Sequence, residues 1–159
     1  MFKSLALIAA ILCTTHIPAL VSGAVPFGTY VIRNSANCTQ VLDQNRETGH
    51  AIGWRFHGGN NQRWTVAPTN VSLPLYVTIR NVDTLKYVNG TGQMVEDPFT
   101  FRVNSQNNNG DTTIGWVTRE TRNDYALQLS GANDGDIVED RFLSFAAAQL
   151  WWFVAVDKS

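Results

Sequence analysis

The chain has 159 residues, 12 Lys and Arg against 13 Asp and Glu, a formal charge of −1 and 44% hydrophobic residues. That length suffices for one domain with its own core. The near-neutral balance excludes an electrostatic drive toward nucleic acid or an anionic membrane, so binding must come from a local site.

The first 23 residues read apart from the rest. Lys3 supplies one positive charge, residues 5–12 are an unbroken apolar run, and Val21-Ser22-Gly23 offers the small residues a signal peptidase needs. A secretory signal peptide cut after Gly23 is expected, and with it a secreted, extracellular protein. The apolar run is too short to span a bilayer, and Thr14, Thr15, His16 and Pro18 interrupt its continuation. The mature domain, 24–159, then carries 11 basic and 13 acidic side chains. No later segment is apolar enough to insert into a membrane. Cys13 leaves with the signal, so Cys38 stands alone and stability must rest on a packed core. A buried, inert thiol is expected at Cys38 rather than a bridge to another chain. Three acceptor sequons begin at Asn37, Asn70 and Asn89, and in a eukaryotic host they mark exposed, glycosylated loops.

After residue 24 nothing shows helical spacing of apolar residues. Short β-branched and aromatic runs recur instead, punctuated by Asn, Gly, Asp and Pro. In chain order the predicted strands are 29–34, 39–43, 51–56, 63–66, 75–81, 86–88, 99–103, 113–117, 125–129, 136–138, 142–145 and 150–154. Twelve short strands in one domain predict an all-β barrel or sandwich.

An internal repeat organises them. Tyr30-Val31-Ile32-Arg33-Asn34 returns as Val77-Thr78-Ile79-Arg80-Asn81, 47 residues later. Tryptophans at 64, 116 and 151 are read as closing three imperfect units of four strands each. Asn61-Gln62-Arg63 precedes the first tryptophan and Gln149-Leu150 the last; Ile114-Gly115 precedes the middle one.

Gln-x-Trp near the end of a unit, with Val41-Leu42-Asp43 about 20 residues earlier, resembles the ricin B-type lectins. Single-domain fungal members are the most similar. The resemblance covers nearly all of 28–156. It is specific in the first unit, through Gly53-Trp54, His57-Gly58-Gly59 and Asn61-Gln62-Arg63-Trp64, and at Gln149-Leu150-Trp151; it is loose between them. It implies a β-trefoil, three four-strand units around a pseudo-threefold axis, whose partners are glycans or glycoproteins and which needs no cofactor.

Carried onto this chain, the resemblance implies one sugar site in the first unit, for galactose-type glycans. Asp43 would accept hydrogen bonds from two hydroxyls, more strongly than a neutral acceptor would. Asn61 would add its amide, and Gln62 would tie the turn and reach the sugar. A third-strand aromatic would lie on the sugar's apolar face. Trp54 is placed first for that role and Phe56 second, since alternation puts both on one face. His57 would line the rim. Trp64 and Trp151 are expected in the core. The other units depart from this pattern. Val88-Asn89 and Leu127-Gln128 stand where the first has Leu42-Asp43, Asn89 lies in a sequon, and Ala146-Ala147-Ala148 replaces the amide-rich turn. Cross-linking of cells would then require an oligomer or a second site.

No catalytic pattern competes. His50 and His57 have no cysteine or carboxylate at metal-ligand spacing, and there is no Gly-x-Ser-x-Gly, phosphate loop or His-Glu-x-x-His. Glu96-Asp97 and Glu139-Asp140 read as charged surface turns rather than as a hydrolytic pair. The expected function is therefore binding, not an enzyme. The alternative is a β-trefoil protease inhibitor acting through one of the long polar loops 104–112 and 130–140. Such an inhibitor would have no reason to keep Asp43, Asn61 and Gln62 together.

Overall fold

The computed structural model describes residues 25–69, 75–106, 110–117 and 124–156. The expected signal peptide and the Asn70 sequon lie outside them. Twelve strands form, with two single 3₁₀ turns and no α-helix among the described residues. The strands are β1 (Gly28–Asn34), β2 (Gln40–Asn45), β3 (His50–Arg55), β4 (Trp64–Pro68), β5 (Tyr76–Asn81), β6 (Tyr87–Val88), β7 (Met94–Val95), β8 (Phe101–Ser105), β9 (Thr112–Val117), β10 (Asp124–Leu129), β11 (Val138–Phe142) and β12 (Leu150–Ala155).

Six of them close a barrel by antiparallel pairing: β1 with β4, β4 with β5, β5 with β8, β8 with β9, β9 with β12 and β12 with β1. The other six form the hairpins β2–β3, β6–β7 and β10–β11. One barrel strand, one hairpin and a second barrel strand recur three times. This is the β-trefoil that the resemblance implies. Closing the barrel leaves no free edge along it.

The repeat persists at atomic level. Trp64 donates its indole N–H to the Leu42 carbonyl at 2.9 Å, and Trp151 donates to the Leu127 carbonyl at 3.0 Å. Both rings are fully buried, so each removes a large apolar surface from water while its one polar atom stays satisfied. Asn34 and Asn81, also fully buried, end β1 and β5. Each accepts two backbone N–H groups of its own turn and donates into the 3₁₀ turn of a neighbouring unit, to the Ala148 and Asn61 carbonyls. Tyr30, Ile32, Val66, Ile79, Val103, Ile114 and Phe153 fill the barrel between them.

Two expectations are corrected here. Trp116 does not close the second unit; it lies on β9, the first strand of the third. Pairing puts Phe101 opposite Val77 as Trp64 is opposite Tyr30, so Phe101 is the second unit's core ring, fully buried. By the same register Phe99 takes the place of Gln62. The amide-linked turn of the other units becomes an aromatic cluster, with Phe99, Phe101 and Trp116 packed edge to face at 4.9–5.9 Å. The predicted strands 136–138 and 142–145 are one strand, β11, followed by a turn. β7 was not predicted at all, because two residues carry no periodicity.

The three hairpins meet at the barrel's end. Ala51 donates to the Gly92 carbonyl, Met94 to that of Gly49, and Gly53 to that of Asp136. Gly92, at φ +78°, packs so closely that a Cβ there would lie 2.0 Å from the Val138 carbonyl oxygen.

Candidate functional site

Asp43 sits on β2 opposite Ile52, and Val41 sits opposite Trp54. Paired residues of an antiparallel ribbon share a face, so Asp43 and Trp54 are diagonal neighbours on the outer side of the first hairpin. Leu42 points the other way, into the core. After β3 the chain turns through His57-Gly58-Gly59 into the 3₁₀ turn Asn60–Gln62. Gly58 has φ +80°, the left-handed conformation that brings the turn back over Asp43.

The Asp43 carboxylate is 4% exposed and gathers three side chains. Asn61 Nδ2 donates to its Oδ1 at 2.8 Å, and Gln62 Nε2 donates to its Oδ2 at 2.8 Å. His57 Nε2 lies 3.3 Å from the same Oδ2. The His57 ring accepts the Gly59 N–H at Nδ1, 3.2 Å away. A neutral ring with its proton on Nε2 makes both contacts, and a second proton would break the one to Gly59.

Gln62 is the fixed point of the turn. It is fully buried, and its Oε1 accepts the N–H groups of His57 and Gly58, at 2.8 and 3.2 Å. Its Nε2 donates to Asp43 and to the Arg55 carbonyl at 2.9 Å. All four of its bonding positions are used. Gln149 repeats the device, taking the Ser144 N–H and donating to the Phe142 carbonyl, both at 2.8 Å. Gln62 is therefore an organiser of the turn, with no capacity left for a ligand.

Both candidate aromatics are exposed, Trp54 at 37% and Phe56 at 47%. The Trp54 ring edge borders Gly135 of the third unit. The Arg33 guanidinium lies 5.2 Å from the centre of the Phe56 ring, and the ring's far end approaches Gly58. Arg33 beneath Phe56 carried no signal in the sequence; only the pairing of Arg33 with Val41 puts it there.

The equivalent positions elsewhere cannot do the same chemistry. Asn89 turns its Oδ1 into its own hairpin, accepting N–H groups of Thr91 and Gln93 and the Thr91 hydroxyl. In the third unit the registers align Gln128 with Asp43, Ser144 with His57 and Ala148 with Asn61, so neither the carboxylate nor its amide partner is present. Phe145 stands where Gly58 does and adopts the same left-handed conformation, φ 57°, without a glycine's freedom. Among the other sequence candidates, Asn37 accepts the Thr39 hydroxyl at 2.7 Å and donates to the Ala132 carbonyl, and Cys38 is a free, partly buried thiol. Glu96 and Glu139 form surface ion pairs with Lys86 and Arg141.

The β-trefoil is the fold of the ricin B-like lectins. The solved structures similar to this chain include the Rhizoctonia solani agglutinin, with a TM-score of 0.69 and 23% identity over 87% of this chain and 100% of that one. The Macrolepiota procera ricin B-like lectin, solved with lactose, has a TM-score of 0.69 and 27% identity over 83% and 99% of the two chains. The designed threefold-symmetric protein ThreeFoil gives 0.62 and 17% identity over 81% and 99%. No family model and no curated protein matches the chain by sequence.

Proposed function

We propose that this protein is a ricin B-type lectin, exported from the cell, that binds galactose-type glycans through one site in its first unit. The observation that carries the reading is the Asp43–Asn61–His57 cluster beside Trp54 and Phe56, together with its loss from the other two units. A carboxylate has about four acceptor positions. Asn61 uses one on Oδ1, while Gln62 and His57 occupy Oδ2. One sugar hydroxyl then enters at Oδ1. A second enters at Oδ2 once His57, the most distant partner with a side chain 44% exposed, swings aside. The Asn61 amide serves the same hydroxyl pair, and an aromatic ring covers the sugar's apolar face. The lactose held by the Macrolepiota lectin supports galactose as the sugar class.

The inhibitor alternative is less favoured. The polar loop after β10 is tied along β3, with Gly135 donating to the Gly53 carbonyl, Gly53 to the Asp136 carbonyl and the Arg55 N–H to Asp134. The similar solved structures include a lectin holding lactose, which supports sugar binding over inhibition.

A glycan array with wild-type protein and Asp43→Ala tests the reading. Binding to terminal galactose that disappears in the variant is the expected result. Trp54→Ala and Phe56→Ala, run beside it, identify the stacking ring as the one whose loss weakens binding by about tenfold or more, since such contacts contribute roughly 1–2 kcal/mol. Wild-type protein that binds no glycan would refute the function, and binding that survives in Asp43→Ala would move the site to another unit.

A further inference from the structure

We propose, resting on the Asp43 sugar site, that Ile137 of the third unit is a specificity-determining residue of that site. It selects galactose-type glycans whose adjoining sugar carries a methyl group.

Ile137 reaches the first unit through the backbone. The segment ahead of β11 runs antiparallel to β3, where Ile52 is bridged to Ile137 and Gly53 donates to the Asp136 carbonyl at 2.8 Å. On its other side Ile52 is paired with Asp43. Residues paired across antiparallel strands share a face, so Asp43, Ile52 and Ile137 form one row on the outer side of the hairpin. Trp54, two residues after Ile52, lies on the same face, and its ring edge meets Gly135 of the same segment. Trp54, Ile52 and Ile137 thus make an apolar strip that begins at the carboxylate. Two strand spacings, about 10 Å, separate Asp43 from Ile137. A pyranose ring held at Asp43 is shorter than that, so Ile137 faces the next residue of the glycan.

The strip is open to solvent, with Ile137 47% and Trp54 37% exposed over a buried Ile52. Single exposed apolar side chains are ordinary, but a contiguous run beside a binding cluster marks a contact surface. The fold does not require apolar residues at this junction. The bridge between the first and second hairpins pairs His50 with Gln93, two polar residues. Ile137 is also held in place. Its carbonyl accepts the Ser130 N–H at 3.0 Å, and the loop behind it is closed by the Asn133 N–H on the Asp136 carboxylate at 2.7 Å. A residue fixed in advance loses little further freedom when a ligand arrives.

The strip's chemistry restricts what it takes. An isoleucine side chain offers neither donor nor acceptor. The Gly53 N–H and carbonyl and the Ile137 carbonyl are already bonded within the protein. A hydroxyl pressed against this surface would lose its water and gain nothing. A methyl group gains by leaving water. In a sugar it comes from an acetamido substituent or from a deoxy carbon.

The test is isothermal titration calorimetry with lactose, N-acetyllactosamine and fucosyl-lactose. The second replaces one hydroxyl of the adjoining glucose by an acetamido group, and the third attaches a deoxy sugar to the galactose. At least one of these two is expected to bind about threefold or more tightly than lactose, the scale set by covering one methyl group. Which one does so identifies the source of the methyl. Ile137→Thr keeps the branched shape and should bring the ratio down to about one, whereas Ile137→Val should keep most of it. The proposal is overturned if lactose binds as tightly as both, or if the preference survives in Ile137→Thr. It is also overturned if Ile137→Thr loses all three sugars alike, since the residue would then serve the whole site. Failure of the underlying reading looks different. Wild type would bind none of the three, or lactose binding would persist in Asp43→Ala, and either result would overturn the role of Ile137 with it.

Discussion

Gln62→Glu turns the organising amide of the first unit into a group that cannot satisfy its surroundings at neutral pH. Oε1 still accepts from His57 and Gly58, but the atom that donated to Asp43 and to the Arg55 carbonyl becomes an acceptor. Two ionised carboxylates roughly 4 Å apart repel by about 4 kcal/mol at an effective dielectric of about 20. The abandoned Arg55 carbonyl adds about 1–2 kcal/mol. The pair escapes most of the repulsion by holding one proton between them, which raises the folded-state pKa of the new carboxyl above its unfolded value of about 4.3. A raised pKa contributes stability that is fully present below about pH 4.3 and is lost as pH rises through the folded value. The variant should therefore melt about 5 °C below wild type at pH 4 and about 15 °C below at pH 8, at roughly 3–4 °C per kcal/mol for a domain of this size. Gln149→Glu is the control. Its Nε2 faces only the Phe142 carbonyl, with no carboxylate in contact, so its deficit should change much less between the two pH values. Thermal melts of the three proteins from pH 4 to pH 8 decide the matter. A Gln62→Glu deficit that is the same at both ends would mean that Asp43 and Gln62 are not in contact.

Three further outcomes follow from local geometry. Gly92→Ala should lose about 3 kcal/mol or more in urea denaturation, because φ is +78° and the new methyl meets the Val138 carbonyl oxygen at 2.0 Å; a loss under 1 kcal/mol would contradict the close meeting of the hairpins. Phe145→Gly should gain about 0.5 kcal/mol in the same assay. The left-handed conformation strains a side-chain-bearing residue by about 1–2 kcal/mol, against roughly 0.5–1 kcal/mol of added chain entropy for glycine. Acidification should loosen the loop after β10. The hydrogen bond from the Arg55 side chain holds the Asp134 carboxyl below its ordinary value, so its tie is present above about pH 3.8 and lost as pH falls through the lower folded value. An amide NMR titration of Arg55 should show this step, and Asp134→Asn should remove it.

Some positions were legible in the chain and others were not, for identifiable reasons. The Ile-Arg-Asn echo between β1 and β5 reports a true repeat because both strands fill the same barrel position and end on an equivalent buried asparagine. The order Leu42-Asp43 followed by Asn61-Gln62-Arg63-Trp64 located a real cluster, since a hairpin and a 3₁₀ turn bring those residues together within one unit. In the second unit tryptophan is not the marker of the closing strand. The volume it fills is the feature the fold requires, and Phe101 fills it while Trp116 packs from the next strand.

Sequence alone determined the alternation, the turn chemistry and the local pairings, because these depend on neighbours a few to twenty residues apart. Tertiary structure alone decided what crosses between units. It set Arg33 under Phe56, ran the Gly135–Ile137 segment along β3, placed Asp134 against Arg55, and buried the Gln40 side chain beneath the first hairpin. Those contacts join residues as far apart in the chain as Ile52 and Ile137. Their geometry is fixed by barrel closure and by the angle at which three hairpins meet, and no local pattern encodes either.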